Sequence, residues 1–320
     1  MPSGTSISGR LSPHEEALLH RATKTQERIL VADDDRATRF AIASMLKTAG
    51  YAVTSVKNGA EALAKLRKTH FALAFLDIWM PELNGLEVLA EARSLGASPK
   101  FVIMTSDNTP EAVLGAVREQ AYEYLSKPFP PKEAAELAER ALRQEDFSPI
   151  EVVSAKAEWV ELLIPCTRQA AERVHSFLMK LDAGLPEEQR DAIGVAFREL
   201  LLNAVEWGGR FDPNRKVRIA YVRSSRLLLY RVADPGPGFK FAGLAHAAAG
   251  QPAETPFAHM EVRDRMGIRP GGFGIAMTRA IADELLYNEA QNEVLFIKHL
   301  PEPASVPLPT GTGSPESRDS

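Results

Sequence analysis

The sequence is short of the residues that build several common protein classes. It holds one cysteine, Cys166, so no internal disulfide forms, and neither that thiol nor the seven scattered histidines make a metal-ligand cluster. It has no excess of charge of one sign. The 38 Lys and Arg stand against 42 Asp and Glu, a net −4 that offers no global attraction to nucleic acid or to an anionic membrane. No apolar run approaches the ~20 residues of a bilayer span, and the first 26 residues are polar, without the apolar stretch of a secretory signal. Zinc modules, disulfide scaffolds and membrane spans are therefore disfavoured, and a reduced, cytoplasmic chain is the expectation. What is present is ordinary: 45% apolar and 25% charged residues. At roughly 100–200 residues per domain, the chain makes two domains.

Residues 1–26 and 301–320 are too poor in apolar side chains to offset the entropy of ordering, the second stretch carrying five prolines, and both read as tails. A composition break at 144–150 (QEDFSPI) separates a first domain at 27–145 from a second at 156–300, with a linker at 146–155. In the first domain, apolar runs at 29–32, 52–56, 72–76, 101–104 and 122–125 alternate with helical patterns at 36–49, 58–68, 85–93, 110–119 and 131–143. Asn58 with Glu61 suits a capping box, Pro131 a first helical position, and Gly50 a helix C-terminus. Such alternation predicts an α/β domain, a doubly wound (βα)5 unit around a parallel sheet, with ligands at the carboxyl ends of the strands. The second domain reads differently. A strand at 159–165 leads to helices at 167–181 and 186–207, strands at 216–223 and 226–233, a long connection at 240–270, a helix at 273–284 and strands at 285–288 and 293–299. That order predicts an α+β sandwich.

Asp33 and Asp34 follow the first predicted strand and Asp77 the third, so a parallel sheet brings three carboxylates to one end. Like charges this close are costly unless a hard cation such as Mg²⁺ neutralises them. Thr105 and Lys127 end the fourth and fifth strands and add a hydroxyl and a cation able to grip a phosphoryl group. A single Asp after a strand is by default a turn residue; five suitable groups at strand ends are not. Here the chain resembles the receiver domain of two-component response regulators, through ILVADDD (29–35), LDIWMP (76–81), IMTS (103–106) and YLSKPF (124–129). The resemblance implies that Asp77 is the phosphoacceptor and that Asp33 and Asp34 hold Mg²⁺ with Asp77 and the Trp79 carbonyl. It further implies that Thr105 and Lys127 contact the phosphoryl group, that Tyr124 is the aromatic switch, and that Pro128 follows a cis bond. Asp35 reads instead as an acid at a helix N-terminus.

In the second domain, Glu199 and Asn203 stand four apart in RELLLNAVEW and so share a helix face. Downstream come ADPGPGF (233–239), by itself a turn, and RPGGFGI (269–275), glycines opening a helix where backbone N–H groups approach phosphates. As an ordered set these resemble the histidine-kinase-type ATPase domain, the Bergerat fold, and within it the anti-sigma-factor serine/threonine kinases. The resemblance implies ATP and Mg²⁺ as cofactors, with Asn203 on the metal, Asp234 on the adenine amino group, and Gly236, Gly238, Gly272 and Gly274 around the nucleotide. Glu199 takes the place of the general base and the 240–270 connection that of a lid. Trp207 departs from the His of many relatives.

A histidine kinase needs a dimerisation hairpin before its ATPase domain. The stretch 144–156 is too short for one, and His175 reads as a packed helix residue. Two functions remain. One is a response regulator, phosphorylated by an upstream sensor histidine kinase, whose output domain is a serine/threonine kinase for a small anti-sigma-antagonist-like protein. The other is a non-catalytic, ATP-gated module that sequesters a sigma factor or another regulator. Neither calls for direct nucleic-acid or membrane binding, and both families imply a homodimer.

Overall fold

The computed structural model describes residues 27–96, 99–107, 109–143, 149–156, 158–182, 184–238 and 274–301. The predicted tails (Pro301 apart), the 240–270 connection and Gly272 lie outside the described residues.

The first domain runs β1 (Arg28–Ala32), α1 (Arg36–Thr48), β2 (Ala52–Val56), α2 (Gly59–Lys68), β3 (Leu73–Asp77), α3 (Gly85–Ser94), β4 (Lys100–Thr105), α4 (Pro110–Arg118), β5 (Glu123–Ser126) and α5 (Pro131–Arg143). All pairings are parallel, in the order β2-β1-β3-β4-β5. Side chains of successive strand residues point to opposite faces, and the core divides accordingly. Ile29, Val31, Phe75, Val102 and Met104 pack with Ile42 and Leu46 of α1 and Leu137 of α5. Leu30, Ala32, Leu76 and Ile103 pack with Leu63 of α2, Val88 and Leu89 of α3 and Val113 of α4. Polar residues fix the helix starts. Asp35 accepts from the backbone of Ala37 and Thr38, Asn58 from Glu61, and Asn84 closes a reciprocal capping box with Glu87. Gly50, at φ 99°, takes the left-handed turn after α1. The Lys127–Pro128 bond is cis.

The second domain is an antiparallel six-stranded sheet, ordered β10-β11-β9-β8-β7-β6. Its elements are β6 (Glu151–Lys156), β7 (Trp159–Pro165), α6 (Arg168–Leu181), α7 (Glu187–Asn203), a π turn (Ala204–Gly208), β8 (Lys216–Arg223), β9 (Leu227–Ala233), α8 (Gly274–Ile281), β10 (Glu284–Tyr287) and β11 (Glu293–His299). One sheet face, carrying Leu162, Ile164, Ile219, Val232 and Phe296, packs on Val174, Phe177, Phe197 and Leu201 of α6 and α7. The other carries the cross-strand ion pairs Arg218–Glu161 and Arg231–Glu293. Inside the domain, Asp182 accepts from the hydroxyls of Tyr221 and Tyr230; burial pushes its carboxyl up, and those two donors oppose the shift.

One expectation needs correction. The linker read at 146–155 ends in β6, which pairs antiparallel with β7 and starts the sheet earlier than the sequence pattern indicated. In this edge strand only Ala155 is buried, so the apolar alternation that marks a strand is nearly absent. Among the described residues, no helix is long and apolar enough to cross a membrane.

Candidate functional site

Because the first sheet is parallel, the ends of β1, β3, β4 and β5 open on one crevice. Asp33, Asp34 and Asp77 meet there, each offering an oxygen within 4.8 Å of the others. Asp33 and Asp77 are buried and Asp34 exposed. Lys127 reaches in from the end of β5, its Nζ 2.8 Å from Asp33 and 3.1 Å from Asp77. Burial pushes the Asp77 carboxyl up to about 6, against the pull of Lys127; burial likewise raises Asp33. One ammonium thus faces three carboxylates, a hard-oxygen donor set that fits a divalent cation of the Mg²⁺ type. Thr105 is buried at the end of β4 and its Oγ1 accepts from the Asp107 N–H at 3.0 Å. Tyr124 is buried, its hydroxyl donating to the Asp107 carbonyl. Trp79, 60% exposed, hydrogen-bonds the Asp107 carboxylate from beside the crevice. All the residues singled out in the first domain therefore lie in one connected neighbourhood.

In the second domain, Asn203 ends α7 and Glu199 lies one turn before it, on a helix that packs against α8. Gly274, the first residue of α8, comes so near that a Cβ on it would lie 2.4 Å from Glu199 Oε2. The Asp234 turn is built on close backbone approach. Gly236 N–H donates to Asp234 Oδ1 at 2.7 Å, and a Cβ on Gly208 would fall 2.1 Å from the same oxygen. Gly238, at φ 83°, has no room for a side chain beside the Ala290 carbonyl. Burial raises the Asp234 carboxyl; the Gly236 N–H and Arg215 oppose it.

Several residues here were not found from the sequence. Asn292 accepts from the Asp234 N–H at 2.8 Å through its carbonyl and donates through Nδ2 to the Gly236 carbonyl at 3.0 Å. Arg215 donates to the Pro235 carbonyl. The buried Cys166 lies against Gly209, and burial lifts its thiol to about 11, so it fills space under the turn rather than reacting. The Gly208-Gly209 pair after Trp207 was the available signal. The π turn adds a residue to the end of α7 and brings Gly208 under Asp234. The arrangement combines a carboxylate, an amide, a glycine helix start and a recessed Asp, which together suit a nucleotide.

Comparison with known proteins agrees with this division. The family model for the response regulator receiver domain matches residues 29–139, and that for the histidine kinase-like ATPase domain matches residues 164–298. The DNA-binding response regulator MtrA of Mycolicibacterium smegmatis is 30% identical over 213 residues, 66% of this chain and 90% of that protein. The DNA-binding transcriptional regulator NtrC of Escherichia coli is 34% identical over 114 residues, 36% of this chain and 24% of that protein. Among solved structures, a CheY-like response regulator receiver domain protein from Methanospirillum hungatei is 31% identical and covers 37% of this chain and 94% of its own, with a TM-score of 0.36.

Proposed function

The chain belongs to the response regulators, with a histidine kinase-like ATPase domain after its receiver, and we propose that phosphorylation of Asp77 controls an ATP-binding output domain that acts as a serine/threonine protein kinase on a small protein partner of the anti-sigma-antagonist kind. The observation that carries the reading is the receiver crevice, where Lys127 Nζ stands 3.1 Å from Asp77 among three convergent carboxylates. A receiver implies an upstream histidine kinase as phosphoryl donor. The DNA binding named for MtrA and NtrC belongs to those proteins; here the segment after the receiver matches an ATPase.

At the receiver, a carboxylate oxygen of Asp77 bonds to the phosphorus of the donor's phosphohistidine as the P–N bond breaks and the donor imidazole leaves; Lys127 and Thr105 would contact the phosphoryl oxygens, and Asp33 and Asp34 would hold Mg²⁺. Mg²⁺ there supplies charge neutralisation for the crowded carboxylates and the incoming phosphoryl. At the second site, Asp234, held through Oδ1 by the Gly236 N–H, recognises the adenine amino group with Oδ2. Asn203 would hold Mg²⁺, and the N–H groups at the Gly274 end of α8 would face the phosphates. Glu199 takes the proton from the partner's Ser or Thr hydroxyl as that oxygen bonds to the γ-phosphorus, the bond to the β-phosphate oxygen breaks and ADP leaves.

The test is γ-labelled ATP with Mg²⁺, the full chain and a host-cell extract, with and without beryllofluoride on Asp77. Acid-stable label on a small protein, lost in Glu199→Gln, is the expected result. ATP binding without transfer would replace the kinase with an ATP-gated sequestering module. Loss of ATP binding altogether would overturn both.

A further inference from the structure

The two domains are not merely tethered. The larger apolar cluster includes Leu114 and Val117 of α4 together with Ile150, Ala155 and Val174 of the second domain. Polar groups seal that junction. Gln120, after α4, holds the Ile150 backbone from both sides, accepting its N–H at 2.9 Å and donating to its carbonyl at 2.5 Å. Arg118 donates to the Ala155 carbonyl in β6. Arg173 of α6, 6% exposed, donates to the carbonyls of Tyr122 at 3.1 Å and Ala121 at 2.9 Å, at the entry to β5. Ser176, one turn further on α6, donates to Glu123 Oε1 at 2.7 Å.

These contacts lengthen a hydrogen-bond chain that starts in the crevice. Thr105 Oγ1 accepts from Asp107 N, the Asp107 carbonyl accepts from Tyr124 Oη, Tyr124 N donates to Glu123 Oε1 at 3.2 Å, and the same oxygen receives Ser176. On α6, Arg173 and Ser176 face the receiver. Glu172 and His175, each one residue earlier and so about 100° around the helix, face α7. Glu172 takes a two-pronged ion pair from Arg198, with Arg198 Nε 2.9 Å from its Oε2. His175 Nε2 lies 2.9 Å from the Gly194 carbonyl. Arg198 is the neighbour of Glu199.

Resting on the reading of Asp77 as phosphoacceptor and of the α7–α8 site as the nucleotide site, we propose that α6 couples the two, with Glu172 and Arg198 as positioning residues for Glu199 and Asn203. Movement of Thr105 and Tyr124 reaches Ser176 and Arg173, turns or slides α6, and is handed through the Glu172–Arg198 pair to the end of α7. Packed helices with hydrogen-bonded ends shift as units rather than deform continuously, so a small change at the crevice is passed on. Such coupling is reciprocal: nucleotide must change the affinity of the receiver for beryllofluoride by the factor beryllofluoride changes nucleotide affinity.

The full chain is titrated with a fluorescent ATP analogue and Mg²⁺ with and without beryllofluoride, and by calorimetry with beryllofluoride with and without ATP. The expected result is a mutual factor of about five or more. In Ser176→Ala and in Glu172→Gln both ligands still bind singly, and the factor falls towards one. The charge exchange Glu172→Arg with Arg198→Glu re-forms the pair and restores the factor; single-ligand affinities and melting temperature stay unchanged across the series, whereas a merely structural role would move those in place of the factor. If both ligands bind and neither affects the other, or if the factor survives Glu172→Gln, α6 is not the coupling element and the reading of the two sites stands. If beryllofluoride or nucleotide fails to bind, the reading itself falls and the inference with it.

Discussion

Glu199 and Gly274 are set against each other, the carboxylate of α7 lying where the first residue of α8 would carry a side chain, 2.4 Å from its Cβ position. The neighbour is the end of a flexible side chain, so Gly274→Ala should fold, with the carboxyl swung aside. A displaced general base forfeits a contribution of about 10²–10⁴-fold. Transfer to the partner in Gly274→Ala should therefore fall at least ten-fold while ATP affinity falls less. Single-turnover transfer with a parallel ATP titration separates the two, and equal losses would show that Gly274 serves binding alone.

Gly208 makes the stricter demand. A methyl there meets the Asp234 Oδ1, Cγ and Cβ at 2.1–2.4 Å, so the π turn or the Asp234 turn must move as backbone. Overpacking of this kind costs about 1–3 kcal/mol. Gly208→Ala should lower the melting temperature of the second domain and weaken ATP binding ten-fold or more, whereas Asp234→Asn should weaken ATP binding with little change in melting. Unchanged ATP affinity in Gly208→Ala would remove Asp234 from the nucleotide site.

The receiver residues could be placed because Asp33, Asp77 and Thr105 directly follow apolar runs and Lys127 stands two residues after one, so all four fall at strand ends by counting alone. Glu199 and Asn203 were legible by helical spacing, and Asp35 as a helix-start acid is now seen to be the N-cap of α1. What escaped depends on tertiary placement. Edge strand β6 buries one side chain and carries no readable period. Arg173 and Ser176 look like the solvated stripe of an amphipathic helix, and only docking of β5 makes one buried and the other a donor across domains. Asn292 works from a turn between β10 and β11, 58 residues after the Asp234 it braces, a distance no local pattern spans.

Crowding of carboxylates in the crevice predicts a dependence on divalent cation. Of the three carboxylates, Asp33 and Asp77 pair with Lys127, while Arg39 reaches only the backbone carbonyls of Asp33 and Asp34, and removing metal leaves their repulsion only partly compensated. EDTA should lower the receiver's melting temperature by several degrees, since about 1 kcal/mol moves a domain of this size by roughly 4 °C. Asp77→Asn, with one charge fewer, should melt higher than wild type without Mg²⁺ and show a smaller shift on adding it. Melting curves of the two proteins with EDTA and with Mg²⁺ decide this, and equal EDTA effects would mean that Asp77 is not a metal ligand.

His175 sets a pH dependence in the second domain. Burial lowers its pKa below the ordinary 6.5, against the Gly194 carbonyl and Glu172, which favour the charged ring, while Arg198 opposes it. The ring also stacks on Phe197, with centroids 6.1 Å apart. With its folded pKa below the unfolded one, the native state binds fewer protons in the window from 6.5 downward, so stability rises with pH there and is lost on acidification. The neutral ring donates from Nε2 to Gly194, a bond that glutamine can replace without titrating. Urea denaturation between pH 7.5 and pH 5.5 should therefore show the second domain weakening as pH falls, and His175→Gln should flatten that slope while keeping most of the stability at pH 7.5. A slope unchanged by His175→Gln would assign the acid sensitivity to other groups.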